Sequence, residues 1–279
     1  MRGNAHTTVF IGGGNMAAAL IGGRIAAGAN ANEFRVVEPS PSQRDALAAR
    51  FAGIRVFFET TAEAIADADL AVLAVKPQQM AVAAKALAPH VRSVNVVLTI
   101  AAGIRTADLS RWLGGYRRIV RAMPNTPALI GAGISGVYAA PDVGTDAREA
   151  TATILRAAGE VLWFDDEAAL DGVTGVSGSG PAYVFYFLES LEDAARALGF
   201  SADDARKLAY ATFSGAIALA QMSDADPAAL RAQVTSIGGT TERALATLDA
   251  QRVKASIVAA VKDAMLRARE IGDEFGKDP

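Results

Sequence analysis

Short runs of Val, Ile and Leu recur through the first half of the chain, separated by stretches of helical length. The runs are nearly continuous in hydrophobicity, which is typical of strands in a parallel sheet covered on both faces. The pattern predicts strands over residues 8–11, 34–37, 54–58, 70–74, 94–100, 118–121, 133–138 and 160–164. It predicts helices over residues 16–27, 43–50, 78–87 and 145–158. We expect Ser42 to cap the second of these helices.

The pattern changes after Phe164. Apolar residues now recur at helical spacing, and no strand is predicted between residues 168 and 275. The predicted helices cover residues 181–198, 202–221, 227–234, 240–248 and 253–275. Gly199 follows the first and Pro227 begins the third, as expected at helix ends. Several helices are apolar on more than one face, so we expect a second copy of the chain to cover them in an intertwined homodimer.

Composition narrows the possible chemistry. The 279 residues contain no cysteine and two histidines and carry a net charge of −3. This excludes disulfides, thiolate nucleophiles and cysteine-type zinc sites, and it gives no electrostatic footprint for nucleic acid or an anionic membrane. His6 and His90 have no partner of their own kind nearby, so we expect both at the surface and no metal site. Because charges interrupt every apolar run before it reaches the length of a spanning helix, we expect a soluble cytoplasmic protein.

A glycine-rich turn follows the first predicted strand. Gly12, Gly14 and Ala17 fit the spacing Gly-x-Gly-x-x-Ala. The first glycine permits a tight turn, the second lets a pyrophosphate approach the backbone, and Ala17 is small enough for close helix packing. The following helix offers free amides to the anion. The motif in this context predicts an α/β fold with a Rossmann NAD(P)-binding domain over residues 1–164. The change of pattern after Phe164 predicts an all-helical second domain over residues 165–279.

The second predicted strand leads into Glu38, 24 residues after Gly14. An acid near this spacing usually binds the ribose 2′-hydroxyl and repels a 2′-phosphate, which favours NAD. Ser40, Ser42 and Arg44 follow, and they could instead form a pocket for the 2′-phosphate of NADP. Glu38 could also be a solvated loop residue. These alternatives leave both NAD and NADP open.

Three further loops follow predicted strands, at residues 75–78, 101–103 and 123–127. Their small and conformationally restricted residues would let a nicotinamide ring approach the backbone, although each could be an ordinary turn. In the helical half, the glycines of residues 176–183 indicate a kink or a close backbone approach. Residues 234–241 place hydroxyls and unpaired amides at a helix start, which suits a bound carboxylate.

The same helix start has a simpler interpretation, in which Ser236 or Thr240 caps the helix and no ligand binds. The combination of segments is more informative than any one of them. The stretches FIGGGNMA, LAVKPQ, TIAAGI, RAMPNTPA, DGVTGVSGSGPAY and VTSIGGTT closely resemble pyrroline-5-carboxylate reductase, the last enzyme of proline biosynthesis. The paired SGSGPAY and GGTT signatures are far more specific than the nucleotide motif, and the resemblance covers nearly the whole chain.

The resemblance implies an oxidoreductase that transfers hydride from NADH or NADPH to 1-pyrroline-5-carboxylate and forms L-proline. It implies that the helical domain over residues 165–279 is a substrate and dimerisation domain, which binds the small-molecule substrate and forms a homodimer. We expect this homodimer to assemble into a larger homo-oligomer. Besides Glu38 and Ser40, the resemblance implies a larger set of cofactor-binding residues. They are Gly12, Gly14, Asn15, Met16, Ala74, Lys76, Pro77, Ala101, Ala102, Gly103, Asn125 and Pro127. The implied substrate-binding residues are Ser236, Gly239, Thr240 and Thr241, and Thr241 is the implied catalytic residue, nearest the ring nitrogen of the substrate.

Two residues depart from the family's pattern. Ile237 stands where proline is frequent, which bears on the local backbone, and Glu38 stands where a polar or basic residue is expected, which bears on the cofactor preference. The implied reaction does not demand a strong general acid. A ketone reductase must protonate a developing alkoxide, whereas an imine can arrive already protonated, so that positioning by Thr241 and backbone amides is sufficient.

Two other interpretations compete with this one. β-Hydroxyacid dehydrogenases share the plan of a Rossmann domain followed by helices but use a lysine on a helix of the second domain. Lys207 is the candidate here, although its charged neighbours indicate a solvated face. Alternatively, the chain could be a nucleotide-binding sensor or scaffold without turnover, which would leave the GGTT signature unexplained.

Overall fold

A computed structural model describes residues 7–277 of the chain, so the predicted surface position of His6 lies outside the described residues. Eight strands form one sheet. They are β1 (Thr8–Ile11), β2 (Phe34–Val37), β3 (Arg55–Phe57), β4 (Leu70–Leu73), β5 (Val96–Thr99), β6 (Ile119–Met123), β7 (Gly133–Ala139) and β8 (Gly159–Phe164). Strands β1 and β2 have the predicted bounds, and the other six differ from their predicted ranges only at the ends.

The strands lie in the order β3-β2-β1-β4-β5-β6-β7-β8. All neighbours are parallel except β6 and β7, which pair antiparallel with Arg121 opposite Tyr138. The sheet therefore differs at this pair from the parallel sheet that the hydrophobic pattern predicts. The segment between β6 and β7 holds a single 3₁₀ turn, Thr126–Ile130. It is too short for the crossover helix that a parallel pair requires.

Helices connect most of these strands. They are α1 (Asn15–Ala26), α2 (Pro41–Arg50), α3 (Ala62–Ile65), α4 (Met80–Leu87), α5 (Thr106–Trp112) and α6 (Thr145–Arg156). The predicted N-cap Ser42 is wrong, because α2 begins at Pro41 and Ser40 occupies the N-cap position. Proline suits a first helical position, where its missing amide has no partner to lose. The short helices α3 and α5 are not predicted from the sequence.

The sheet carries a hydrophobic core on each face. Alternate residues of β1 point to opposite sides. Phe10 packs with Leu20 of α1, whereas Val9 and Ile11 belong to the core that contains Met80 of α4. Every residue of β1, β4 and β5 is buried. The two covered faces that the continuous apolar runs predict are confirmed.

The rest of the chain is helical. After β8 come α7 (Ala169–Val173), a π-helical turn (Thr174–Gly178), α8 (Gly180–Ala197), α9 (Ala202–Gln221), α10 (Pro227–Gln233), α11 (Thr240–Ala250) and α12 (Val253–Gly276). Side chains of Ser201 and Asp226 cap α9 and α10 by accepting hydrogen bonds from helix amides at 3.1 and 2.8 Å. No strand follows Phe164 within the described residues, as predicted.

The chain forms two compact units. One comprises residues Gly180–Lys262, and the other combines the sheet with α7, the π-helical turn and the end of α12. This division differs from the predicted boundary at residues 164 and 165 because later segments pack on the sheet unit. Val173 of α7 fills the space over Gly136 of β7, and Arg105 bonds Asp273 of α12 at 2.7 Å.

The helical unit, Gly180–Lys262, buries very little by itself. The structure describes every residue of this range, and in a single chain only Ala205 and Ala209 of it are fully buried. Ile217 is 57% exposed and Met222 88% exposed. Among the described residues, none of the helices combines the length and the hydropathy needed to cross a membrane.

Candidate active site

The turn between β1 and α1 forms a cradle of glycine backbone. Gly12 has a φ of +99°, and its amide donates a hydrogen bond to the Val37 carbonyl oxygen at 2.8 Å. A Cβ added to Gly12 would lie 2.8 Å from the carbonyl oxygen of Ala74. A side chain here would be disfavoured both by its backbone conformation and by the end of β4. The turn therefore requires glycine at this position, as the motif predicts.

The N-terminus of α1 opens from this turn. Gly14 is the N-cap residue, its backbone is extended, and no side-chain hydrogen bond caps the helix. A Cβ at Gly14 would meet no atom within 4 Å, and Gly14 and Asn15 are both exposed. The first amides of α1 are thus free to bind an anion at the positive end of the helix dipole. These residues fit the pyrophosphate of a dinucleotide.

The cradle lies at the carboxyl edge of the sheet, beside the point where strand order reverses around β1. Ligands of open α/β sheets bind in this crevice. Because β4, β5 and β6 run parallel to β1, the loops that follow them reach the same edge. The predicted cofactor residues at this edge are Ala74, Lys76, Pro77, Ala101, Ala102, Gly103, Asn125 and Pro127.

Local contacts fix two of these loops. Gly103 has a φ of +74°, and a Cβ there would overlap the side chain of Ile271 in α12. The Asn125 Oδ1 atom accepts a hydrogen bond from the Ile134 amide at 3.0 Å. The side-chain oxygen of Asn125 is therefore bonded to β7, and its side-chain NH₂ group is left to donate to a ligand.

The loop after β2 holds Glu38 in a defined position. Its Oε2 atom accepts a hydrogen bond from the Gly13 amide and its Oε1 atom one from the Ser40 amide, each at 2.9 Å. Glu38 is thus not a solvated loop residue, which removes one predicted alternative. The hydroxyl oxygens of Ser40 and Ser42 lie 3.1 Å apart, and Arg44 Nη1 donates to the Glu38 carbonyl oxygen at 2.8 Å.

A buried ion cluster adjoins the start of α5. The side chain of Arg121 is 4% exposed and pairs with Glu167 at 3.2 Å and Asp171 at 3.4 Å. Glu167 also accepts hydrogen bonds from the amide and the hydroxyl of Thr106 at 2.8 and 2.6 Å. The cluster fastens the segment that follows the Gly103 loop to the segment before α7. No sequence motif predicts this cluster, and its only local signal is an arginine within an apolar strand.

The GGTT segment, residues 236–241, forms the start of α11. Gly239 occupies the N-cap position, and no side-chain hydrogen bond caps the helix. The simple capping role considered for Ser236 or Thr240 is therefore wrong. Gly238 has a φ of +74°, which favours glycine. Glycine backbone, rather than a capping hydroxyl, thus brings the chain into this helix.

Two groups of the GGTT segment are available to a ligand. The carboxylate of Glu242 accepts a hydrogen bond from the Gly238 amide at 2.7 Å, so it does not occupy the first amides of α11. No described residue forms a hydrogen bond with the Thr241 hydroxyl, and Thr241 is half-buried. The free amides suit a carboxylate, and the hydroxyl can either donate or accept. Ile237 is 98% exposed in the single chain.

The SGSGPAY segment runs through the π-helical turn into α8. A Cβ at Gly178 would lie 2.7 Å from the Cε atom of Met123, at the end of β6. This neighbour is the end of a flexible side chain rather than backbone, so the close backbone approach predicted from these glycines stays a prediction. Ser177 Oγ donates to the Val173 carbonyl oxygen at 3.1 Å. Single π-helical turns inside helices are often found at functional sites.

Other candidate chemistry finds little support. Among residues 7–277, no group of His, Cys, Asp and Glu side chains could hold a metal ion. His90 lies in a 3₁₀ turn and is half-buried. Lys207 is exposed on α9 in the single chain, like most residues of that helix.

The glycine cradle at the switch point of a mostly parallel sheet defines the class, a protein with a Rossmann dinucleotide-binding domain. Residues 7–103 match a family model described as NADP oxidoreductase, coenzyme F420-dependent. Residues 167–271 match the model described as pyrroline-5-carboxylate reductase dimerisation. The chain belongs to the pyrroline-5-carboxylate reductase family, which confirms the predicted resemblance and a homo-oligomeric enzyme.

Individual relatives support this membership over the whole chain. The pyrroline-5-carboxylate reductase of Pseudomonas aeruginosa is 46% identical over 268 residues, which cover 96% of this chain and 97% of the relative. The structure of the Coxiella burnetii pyrroline-5-carboxylate reductase has a TM-score of 0.89 at 35% identity, covering 96% and 99% of the two chains. A Plasmodium falciparum pyrroline carboxylate reductase with NADP bound has a TM-score of 0.84 at 26% identity, covering 96% and 98%.

Proposed function

We propose that the turn of residues 12–17 and the GGTT segment supply the binding groups for the family's reaction, the reduction of the cyclic imine 1-pyrroline-5-carboxylate to L-proline. Glycine occupies the N-cap position without a side-chain hydrogen bond at the starts of α1, α6 and α11. Of these three helix starts, that of α1 follows the glycine-rich turn after β1 and that of α11 lies in the GGTT segment, and this coincidence with the two motifs carries the proposal. The start of α1 suits the cofactor pyrophosphate, and the start of α11 suits the substrate carboxylate.

On the cofactor side, Gly12, Gly14, Asn15 and Met16 bind the pyrophosphate through the backbone. The loops after β4, β5 and β6 hold the nicotinamide end. Conformationally restricted residues suit this role, because a planar ring must lie close to backbone to be oriented. The reduced nicotinamide supplies the hydride, so the protein's task is to hold the ring and exclude other orientations.

On the substrate side, the first amides of α11 bind the carboxylate. Ser236 and Thr240 contribute their hydroxyls, and Gly239 lets the carboxylate approach the backbone. Thr241 orients the ring nitrogen of the substrate through its hydroxyl. A protonated imine is already electrophilic at carbon, so it requires alignment of the two reacting carbons rather than a strong general acid.

The direct test follows the absorbance of reduced nicotinamide with 1-pyrroline-5-carboxylate as the second substrate, using NADH and NADPH in parallel. We expect substrate-dependent oxidation and formation of L-proline. Absence of turnover with both cofactors would contradict the proposal. Nucleotide binding without turnover would favour a sensor or scaffold instead.

Replacing Thr241 by Ala tests its catalytic role. We expect kcat to fall about tenfold or more, the effect of losing one oriented hydrogen bond worth about 1.4 kcal/mol. Thr247→Ala is the matched control, since Thr247 lies on the same helix and its hydroxyl donates only to the Arg243 carbonyl oxygen at 3.3 Å. Equal kinetics in the two variants would remove Thr241 from the mechanism.

The homo-oligomer is proposed to be a dimer that assembles further through its exposed helical faces. Light scattering at several protein concentrations measures this directly, and a mass that stays at that of a dimer would limit the assembly to two chains. Cytoplasmic location stays a prediction that cell fractionation can check.

A further inference from the structure

The carboxylate of Glu38 joins two separate stretches of backbone. The Gly13 amide belongs to the cradle and the Ser40 amide to the loop after β2, and each donates to a different carboxylate oxygen at 2.9 Å. Hydrogen bonds to a charged acceptor are roughly twice as strong as those between neutral groups. Rotating the side chain away would break both bonds at once. The negative charge is therefore fixed beside the cradle.

The position of the Glu38 carboxylate bears on which groups of a bound dinucleotide it can contact. Gly13 lies between Gly12 and Gly14, which form the pyrophosphate turn. The carboxylate of Glu38 is therefore bonded to the residue between these two glycines. Each carboxylate oxygen can accept a second hydrogen bond. A ribose with free hydroxyls can donate these bonds. A 2′-phosphate cannot donate them in its ionised form, and it adds a charge of about −1.5 to −2.

The groups that could offset a 2′-phosphate are partly used within the loop. Arg44 Nη1 donates to the carbonyl oxygens of Glu38 and Pro39 at 2.8 and 2.9 Å. Its guanidinium carbon lies 5.4 Å from the centre of the Phe58 ring. The hydroxyls of Ser40 and Ser42 bond each other. A phosphate would have to compete with these contacts. It would also lie near the carboxylate of Glu38, which two backbone amides hold in place.

We propose that the fixed carboxylate of Glu38 makes this enzyme select NADH over NADPH, by accepting hydrogen bonds from the adenosine ribose and repelling the 2′-phosphate. The inference rests on the proposed assignment of residues 12–17 to the cofactor. Glu38 is a specificity-determining residue here, and its role is distinct from that of the residues which hold the pyrophosphate.

The test compares dissociation constants of NADH and NADPH for the full-length oligomer, measured from nucleotide fluorescence without substrate. We expect NADH to bind at least about tenfold more tightly than NADPH. Glu38→Gln removes the charge and keeps one acceptor oxygen. We expect it to tighten NADPH binding and to reduce the preference about tenfold or more. Raising the salt concentration should narrow the preference of the unaltered protein, because salt screens the repulsion.

Gln43→Leu is the matched control. Its Nε2 atom donates to the Gly13 carbonyl oxygen at 2.7 Å, so it fastens the same turn without a charge. We expect this variant to weaken both nucleotides by the same factor. If Glu38→Gln does the same, Glu38 is only a support for the turn and the inference is overturned. Tighter binding of NADPH by the unaltered protein, or a preference that does not change with salt, would also overturn it. Failure of both nucleotides to bind would instead overturn the cofactor assignment itself.

Discussion

The sheet unit and the helical unit differ in how much of their apolar surface one chain can cover. In the sheet unit, every residue of β1, β4 and β5 is buried, with helices on both faces. In the helical unit, a single chain fully buries only Ala205 and Ala209 among residues that are all described. Apolar surface contributes about 25 cal/mol per Å² when it is removed from water. The sheet unit thus obtains this stabilisation from its own chain, whereas the helical unit needs another copy.

The two units also differ in what glycine does. In the sheet unit, Gly12 and Gly103 permit turns against neighbouring elements, where a Cβ would collide. In the helical unit, Gly215 lies inside α9, and a Cβ there would meet nothing within 4 Å in the single chain. Replacement by Ala should therefore destabilise the turns at Gly12 and Gly103 but stabilise α9 at Gly215, unless the partner chain fills the space beside Gly215.

The largest expected effect is on the buried ion cluster of the sheet unit. Arg121→Ala leaves Glu167 and Asp171 without their buried cation, and removal of one partner of a buried pair typically costs about 3–5 kcal/mol. We expect the free energy of unfolding to fall by about this amount. Urea denaturation followed by tryptophan fluorescence measures it for the sheet unit. Trp112 and Trp163 both lie in this unit.

Arg156→Ala provides the comparison for Arg121. Arg156 pairs with Glu149 at 2.7 Å, but both side chains are more than half exposed. Exposed pairs contribute about 0–1 kcal/mol. Equal losses in the two variants would mean that burial does not set the strength of the Arg121 cluster.

The second effect concerns the helical unit. Ile217 is 57% exposed on α9 in a single chain, and we expect the partner to cover it. Ile217→Asp would bury an unpaired carboxylate in the interface, which costs several kcal/mol unless the group is protonated or the interface opens. We expect dissociation to smaller species in light scattering. Val82→Asp is the control in the sheet unit, where Val82 is 74% exposed on α4; an unchanged mass for Ile217→Asp would break the comparison.

The hydrophobic pattern predicts the elements that are long or fully buried. The bounds of β1 and β2 are correct because each is a short, nearly continuous apolar run, and those of α9 are correct because its apolar residues recur at helical spacing. Helices α3 and α5 are missed because so few residues cannot display a helical period. The antiparallel pairing of β7 is missed for a different reason, since it depends on the length of a connection rather than on the strand itself.

The residues of the candidate site also differ in how far a local sequence pattern predicts them. Gly12, Gly14 and the GGTT segment are predictable because their chemistry is local, a turn followed by a helix start. The partners of Arg121 come from Glu167 and Asp171, far along the chain, and no sequence spacing links them. Glu38 is intermediate, since its spacing from Gly14 indicates the ribose, whereas its two amide partners are revealed only by the fold.

The third effect is local to the cofactor cradle. Gly12→Ala places a Cβ 2.8 Å from the Ala74 carbonyl oxygen at a φ of +99°. We expect the dissociation constant of NADH to rise about tenfold or more, equivalent to about 1.4 kcal/mol. Gly28→Ala separates backbone strain from collision, since Gly28 has a φ of +96° with nothing within 4 Å. Weakened nucleotide binding in Gly28→Ala would show that general destabilisation, and not the cradle, explains the loss.

The smallest effect tests the helical unit without a charge. Gly215→Ala adds a Cβ inside α9 and replaces a poor helix former by the best one, which favours the helix by about 0.5–1 kcal/mol. We expect thermal unfolding to shift upward slightly, with the oligomer mass unchanged. Gly172→Ala makes the same change in α7 of the sheet unit, where a Cβ also meets nothing within 4 Å. If Gly215→Ala destabilises the oligomer while Gly172→Ala does not, a partner helix packs directly against Gly215, and the open space seen there in one chain belongs to the interface.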